Sequence, residues 1–245
     1  MILFLTKIGN LILSALIWIL MVLDTVMTFS ILLILKPFDW NQAISYRVVN
    51  LWGQLIVRAN PFWKIKMIGR EHIKKGIGYV LVANHMSLAD IVCLSCLGKN
   101  FKWIAKKSLF KIPILGWSMS LLEYIPLTRG EHGSIRDSYQ KAQEWLAKDV
   151  SVLIFPEGTR SKSGALAEFK NGAFKLAILT GKPIIPIVIK GTGATLSKGR
   201  MTMSARVKGS VKVLPKIDVD SYGPERYGDL RDKVWALMNE ELTKN

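Results

Sequence analysis

The chain divides by the rhythm of its apolar positions. From Ile8 to Leu35 apolar residues run almost unbroken, 28 residues with one charge, Asp24. A helix of that length measures about 42 Å, more than the roughly 30 Å of a bilayer's hydrocarbon core. A cleaved leader is not expected. The run is longer than a leader's apolar region, Lys7 is the only base before it, and no small-residue cleavage site follows. After the break at Pro37, Trp40, Ile44, Val48, Leu51, Trp52 and Leu55 recur at helical spacing, with Asn41, Ser45, Gln54 and Arg58 on the other side. Asp39 stands where it can cap this amphipathic helix, and Pro61 ends it. Residues 1–60 therefore read as a membrane-associated helical hairpin dipping into one leaflet. A spanning helix followed by a surface helix is the rival, with Asp24 costing about 2.5–3.5 kcal/mol at the bilayer centre. A buried helix of a soluble core is the third reading.

Beyond Pro61 the rhythm shortens. Residues 63–69 alternate apolar and lysine, as a half-buried strand does. Residues 78–85, 101–105, 151–158 and 183–191 are apolar bursts closed by turn residues. The segment 205–214 reads as a further strand, placed at a sheet edge by its lysines. Helical patterns fall at 87–97, 134–148, 168–180 (closed by Gly181) and 224–243. Strands alternating with helices predict an α/β fold: a largely parallel, mixed sheet flanked by helices, one domain over residues 61–245.

In such sheets ligands gather beyond the carboxyl ends of the strands. Three of those ends carry reactive side chains: Asn84 to Asp90, Phe155 to Ser161, and Lys106-Lys107-Ser108. His85 and Asp90 are five apart, so a carboxylate in the first turn of a helix can reach back and orient an imidazole as general base. The plainer alternative is a strand-end histidine beside an aspartate that favours a helix dipole. Arg160, in the turn after Glu157, offers bidentate recognition of phosphate or carboxylate, or a surface salt bridge. Residues 99–111 hold five lysines and no acid, interleaved with Phe101, Trp103, Leu109 and Phe110. That mixture suits an anionic lipid surface or single-stranded nucleic acid equally. Cys93 and Cys96 read as buried thiols. Ser87 reads as the start of a helix, since no G-x-S-x-G elbow occurs. His72 and His132 fall in loops without evident partners.

Charge sharpens the division. Of 245 residues 50% are hydrophobic, and 34 Lys+Arg against 18 Asp+Glu give a net charge of +16. Residues 1–60 hold four of the bases and two of the acids, leaving 30 and 16 to the rest. Three histidines and two cysteines exclude a zinc-finger array or a disulfide scaffold. The apolarity is thus an attachment at one end, and the charge belongs to the α/β domain.

Taken in order, NHMSLAD, IAKKSLFKIPILGW with YIPLTR, FPEGTRS and IIPIVIKG resemble the four sequence blocks of the glycerolipid acyltransferases, specifically the bacterial type of 1-acyl-glycerol-3-phosphate acyltransferase. The resemblance covers residues 78–191. It implies acyl transfer from a thioester of acyl carrier protein or coenzyme A to the 2-hydroxyl of a lysophosphatidate, giving phosphatidate without metal or cofactor. It implies His85 as base oriented by Asp90, and Lys106, Arg129 and Arg160 as ligands of the acceptor's phosphate. Glu157, Gly158 and Thr159 would position the acceptor or stabilise an oxyanion. The expected partners are then the bilayer, lysophosphatidate and the acyl donor. Nucleic acid is no longer needed, and the expected location is the cytoplasmic side of the cell membrane. Competing readings are a related acyltransferase with another acceptor, such as glycerol-3-phosphate, a membrane-anchored hydrolase using water or Ser87, and a basic binding protein without catalysis.

Overall fold

Seven strands form one mixed sheet in a computed structural model that describes residues 2–60, 62–161, 163–195 and 206–244. They are β1 (Trp63–Ile68), β2 (Val80–Ala83), β3 (Phe101–Lys106), β4 (Ile125–Leu127), β5 (Ser151–Ile154), β6 (Ile184–Lys190) and β7 (Val207–Val213). Their order is β1-β7-β6-β2-β5-β3-β4, and only the β6–β7 pair is antiparallel. The register sets Leu81 opposite Leu153 on one side and Ile185 on the other. Because side chains alternate across a strand, β2 sends Val80 and Val82 to one core and Leu81 and Ala83 to the other. The continuous apolar runs of the sequence are these strands, buried on both faces.

Helices α5 (His132–Ala147), α6 (Gly172–Thr180) and α7 (Tyr227–Thr243) cover the first face, burying Leu146, Phe174 and Val234. Helix α3 (Ala89–Ser95) and Tyr46 of α2 (Ala43–Ala59) cover the second. Gly53 permits the close approach of α2 to α3, since a Cβ there would lie 2.9 Å from the Val92 carbonyl oxygen. The expectation of β7 as an edge strand is corrected: β1 and β6 flank it, and β1 and β4 form the edges. Its lysines mark a solvated face instead, Lys208 exposed and Lys212 paired with Glu241 of α7 at 2.7 Å. Two elements lay outside the sequence reading, β4 and helix α4 (Leu115–Leu121). Pro126 in β4 lacks an amide proton and is tolerated at an edge.

Helix α1 (Ile2–Leu35) turns back through residues 36–42 into α2. Asp39 caps α2, but from outside the cap position: Gln42 occupies that position, and the Asp39 carboxylate accepts from the amides of Ile44 (3.2 Å) and Ser45 (2.6 Å). The burial of α1 departs from that of a soluble helix, with large apolar residues also on the outward face. Its protein-facing stripe includes Ser14, Thr25 and Thr28 with Ile17 and Leu32, whereas Leu16, Leu20, Leu23 and Met27 are exposed. On α2 the stripe Ile44, Arg47, Leu51, Leu55 and Arg58 also faces outward. Exposed apolar residues outside, with serine and threonine among the apolar residues inside, fit an apolar solvent. Among the described residues Gly9–Leu35 is the one segment long and apolar enough to cross a membrane.

Candidate active site

The parallel neighbours β2, β5 and β3 end side by side, which brings His85, the turn at residues 155–160 and Lys106 to one place. His85 Nδ1 lies 2.7 Å from Asp90 Oδ2. That oxygen also accepts from the amides of Met86 (2.7 Å) and Ser87 (2.8 Å). Asp90 is the second residue of α3 and fully buried, so its charge is held by donors rather than water. A carboxylate acceptor at Nδ1 keeps the proton there and leaves the lone pair of the neutral ring on Nε2. Among the described residues Nε2 has no hydrogen-bond partner, and the ring lines a cavity. Phe155 stacks on the ring, centroids 4.1 Å apart.

Glu157 does not line the cavity; it holds the backbone behind the imidazole. One carboxylate oxygen accepts the His85 amide at 2.8 Å, the other the Ala167 amide at 3.0 Å. Burial pushes its carboxyl above the ordinary glutamate value, opposed by those two bonds. The Gly158 amide closes the turn onto the Phe155 carbonyl at 3.1 Å. The amide of Thr159, a residue that lines the cavity, has no acceptor among the described residues.

The cavity is about 700 Å3. Lys106, Arg129 and Arg160 line it beside His85, so the three cations expected to act together do share one space. Lys170 joins them, its side chain lying over Gly158. Lys170 carried no sequence signal beyond being one base among many. The other walls are largely apolar, drawn from Leu32 of α1, Val49 and Trp52 of α2, and Met119 of α4, with Thr25 and Thr28 of α1 among them. The Trp52 indole donates to Thr25 Oγ1 at 3.1 Å across that wall.

Residues 64–190 match the family described as Acyltransferase. The chain belongs to the acyltransferase family. It is 41% identical over 164 residues to a chloroplastic 1-acyl-sn-glycerol-3-phosphate acyltransferase of Arabidopsis thaliana, covering 66% of this chain and 46% of that protein. It is 30% identical over 236 residues to a 1-acyl-sn-glycerol-3-phosphate acyltransferase of Cocos nucifera, covering 92% of this chain and 73% of that one. The chain spans about half the length of the Arabidopsis relative and of two similar ones from Brassica napus and Chlamydomonas reinhardtii. The crystal structure of the 1-acyl-sn-glycerophosphate acyltransferase PlsC of Thermotoga maritima superposes with a TM-score of 0.83 at 27% identity, covering 96% of this chain and 95% of that one.

Within this member of the acyltransferase family several sequence expectations change. The aromatic-lysine stretch is a surface patch only in part: Phe101, Lys102 and Trp103 are buried, while Lys106, Lys107 and Lys111 are exposed. Lys102 donates to Gln42 Oε1 and to the Leu122 carbonyl at 2.7 Å, and lies 4.1 Å from the centre of the Trp145 ring. Burial pushes its ammonium down to about 8. Ser87 is fully buried and outside the cavity, which removes it as a nucleophile. Cys93 and Cys96 are buried and unbridged, and burial pushes the Cys96 thiol up to about 11. His72 does have a partner, the Val213 carbonyl at 2.9 Å.

Proposed function

We propose that the chain transfers an acyl group from an acyl thioester to the 2-hydroxyl of 1-acyl-glycerol-3-phosphate, giving phosphatidate. One observation carries this reading: an imidazole with its Nδ1 on a buried carboxylate stands in a largely apolar cavity that also holds Lys106, Arg129 and Arg160. A lysophosphatidate has the matching parts, an aliphatic chain, a hydroxyl and a phosphate. The 1-acyl-sn-glycerol-3-phosphate named for the relatives agrees with it.

In this mechanism His85 Nε2 takes the proton of the 2-hydroxyl as its oxygen attacks the thioester carbonyl. Asp90 stabilises the imidazolium that forms. The new C–O bond gives a tetrahedral oxyanion, held by the Thr159 amide, since the Gly158 amide is already engaged. Collapse breaks the C–S bond, and the imidazolium returns its proton to the departing thiolate. A thiolate leaves readily, so no covalent enzyme intermediate is needed. Arg160, Arg129 and Lys106 bind the acceptor's phosphate, which fixes the hydroxyl near the base. The donor is a thioester of acyl carrier protein or coenzyme A, both anionic and drawn to a basic surface. Residues 1–60 serve as the membrane hairpin, and residues 61–245 as a catalytic domain on the cytoplasmic face of the cell membrane.

Transfer of a labelled acyl group in vesicles tests the reading. Lysophosphatidate is acylated in preference to glycerol-3-phosphate, and His85→Ala abolishes turnover while vesicle-borne lysophosphatidate still binds. Preference for glycerol-3-phosphate moves the chain to another acceptor. Release of free fatty acid without an acceptor makes it a hydrolase.

A further inference from the structure

Behind Asp90, away from the imidazole, the structure holds a set of buried hydroxyls that the reaction above does not use. Thr192 Oγ1 donates to Asp90 Oδ1 at 2.5 Å. Thr195 Oγ1 donates to the Thr192 carbonyl at 2.5 Å and lies 3.0 Å from Ser87 Oγ. Ser87, Asp90, Thr192 and Thr195 are all at most 1% exposed. Thr195 spends its proton on the carbonyl, so Ser87 donates to Thr195, and the Thr192 proton has the carboxylate as its partner. With three donors on Oδ2 and one on Oδ1, Thr192 is, among the described residues, the one donor that holds the far oxygen of the carboxylate.

The fold brings Thr192 there by two devices. Asn84, just before His85, clamps the end of β6: its side-chain amide donates to the Ile189 carbonyl at 2.9 Å, and its carbonyl accepts the Ile189 amide at 2.7 Å. Gly191 then turns at φ 78° where any Cβ would lie 2.1 Å from the Lys208 carbonyl oxygen. The strand next to the one bearing the base is thus tied to it, and its continuation passes under the carboxylate.

We infer that Thr192 is a positioning residue of the acyltransfer reaction, fixing the plane of the Asp90 carboxylate so that Oδ2 points at His85 Nδ1. A carboxylate held by one oxygen alone can rotate about its last bond, and a tilted acceptor turns the imidazole with it. The inference rests on His85 and Asp90 acting as proposed above.

The test measures kcat and the lysophosphatidate KM for Thr192→Val, Thr192→Ser and His85→Ala in the full chain, with the far-downfield proton signal of the His85 Nδ1–H. Loss of one hydrogen bond to a buried carboxylate lowers kcat about 10- to 100-fold in Thr192→Val. KM stays within about twofold, because Thr192 does not line the cavity. Thr192→Ser restores both kcat and the proton signal. If Thr192→Val does not fold, Thr192→Ala is read in its place. Unchanged kcat and signal without the hydroxyl overturn the inference, and so does a loss in Thr192→Ser equal to that in the hydroxyl-free variant. Full turnover in His85→Ala instead overturns the catalytic reading on which it stands.

Discussion

Replacing Glu157 by glutamine separates holding the base from touching the substrate. The glutamate accepts two buried amides, one on each oxygen. Glutamine keeps one acceptor and sets an NH2 group against the other N–H. One buried donor is left unsatisfied, at about 1–3 kcal/mol. For a chain of this size that lowers Tm by about 2–12 °C. The catalytic consequence follows from which amides are lost, since one belongs to His85 itself and a displacement of the base near 1 Å costs about 100-fold. We expect Glu157→Gln to lower kcat about 10- to 100-fold with the lysophosphatidate KM within about threefold. The pH dependence adds an independent sign. Because burial raises this carboxyl in the folded state, its contribution to stability is full below the ordinary glutamate value of 4.5 and is lost as pH rises through the raised one. Glu157→Gln removes that decline, so thermal unfolding in detergent followed from acid to neutral pH shows a flatter profile than the parent. A KM that rises with kcat intact would put Glu157 on the acceptor, and an unchanged Tm would refute the two-amide clamp.

Arg160→Ala raises the lysophosphatidate KM about 10- to 100-fold by removing a charge-assisted contact; initial-rate kinetics with an unaltered KM would remove Arg160 from phosphate binding. Lys102, lowered from 10.5 to about 8 by burial, makes the folded chain bind fewer protons than the unfolded one between those values. Stability therefore rises as pH climbs from 8 toward 10.5, and Lys102→Met flattens that rise in unfolding scans; an identical slope would show that Lys102 does not carry it. Leu51→Glu with Leu55→Glu, on the outward stripe of α2, cuts binding to anionic vesicles about 10-fold or more at roughly 1.5–3 kcal/mol per leucine, and undiminished flotation would exclude that stripe from membrane contact.

Most strands and long helices were legible because their apolar periods are strong. The short elements were not. Helix α4 has seven residues and β4 three, too few to establish a period, yet they build a wall of the cavity and an edge of the sheet. The lysines of β7 read as an edge because exposure on a face and exposure at an edge leave the same alternation. That His85, Asp90 and Arg160 come together at one end of the sheet was legible from spacing at strand ends. Thr192 was not, since it lies 102 residues from Asp90 and a lone threonine carries no pattern. Glu157 was found by motif, but its role was visible only once the amides it accepts were in place. Lys102 shows the reverse error: a charge counted toward a surface patch is buried in the interior.

The cavity-lining residues of α1 and the Trp52–Thr25 bond give the amino-terminal hairpin a second identity. It is structural lining as much as a candidate membrane segment. Cutting the chain at residue 60 to obtain a water-soluble enzyme would remove Leu32, Val49 and Trp52 from the cavity and strip Tyr46 from the core beneath α3. Nor would a generic apolar span be a substitute, because the face turned inward sets Ser14, Thr25 and Thr28 among its apolar residues, and Thr25 accepts from the Trp52 indole. The apolar outer face and the cavity wall therefore belong to the same two helices: a change in how α1 and α2 are held also reshapes the chamber in which an acyl chain would lie.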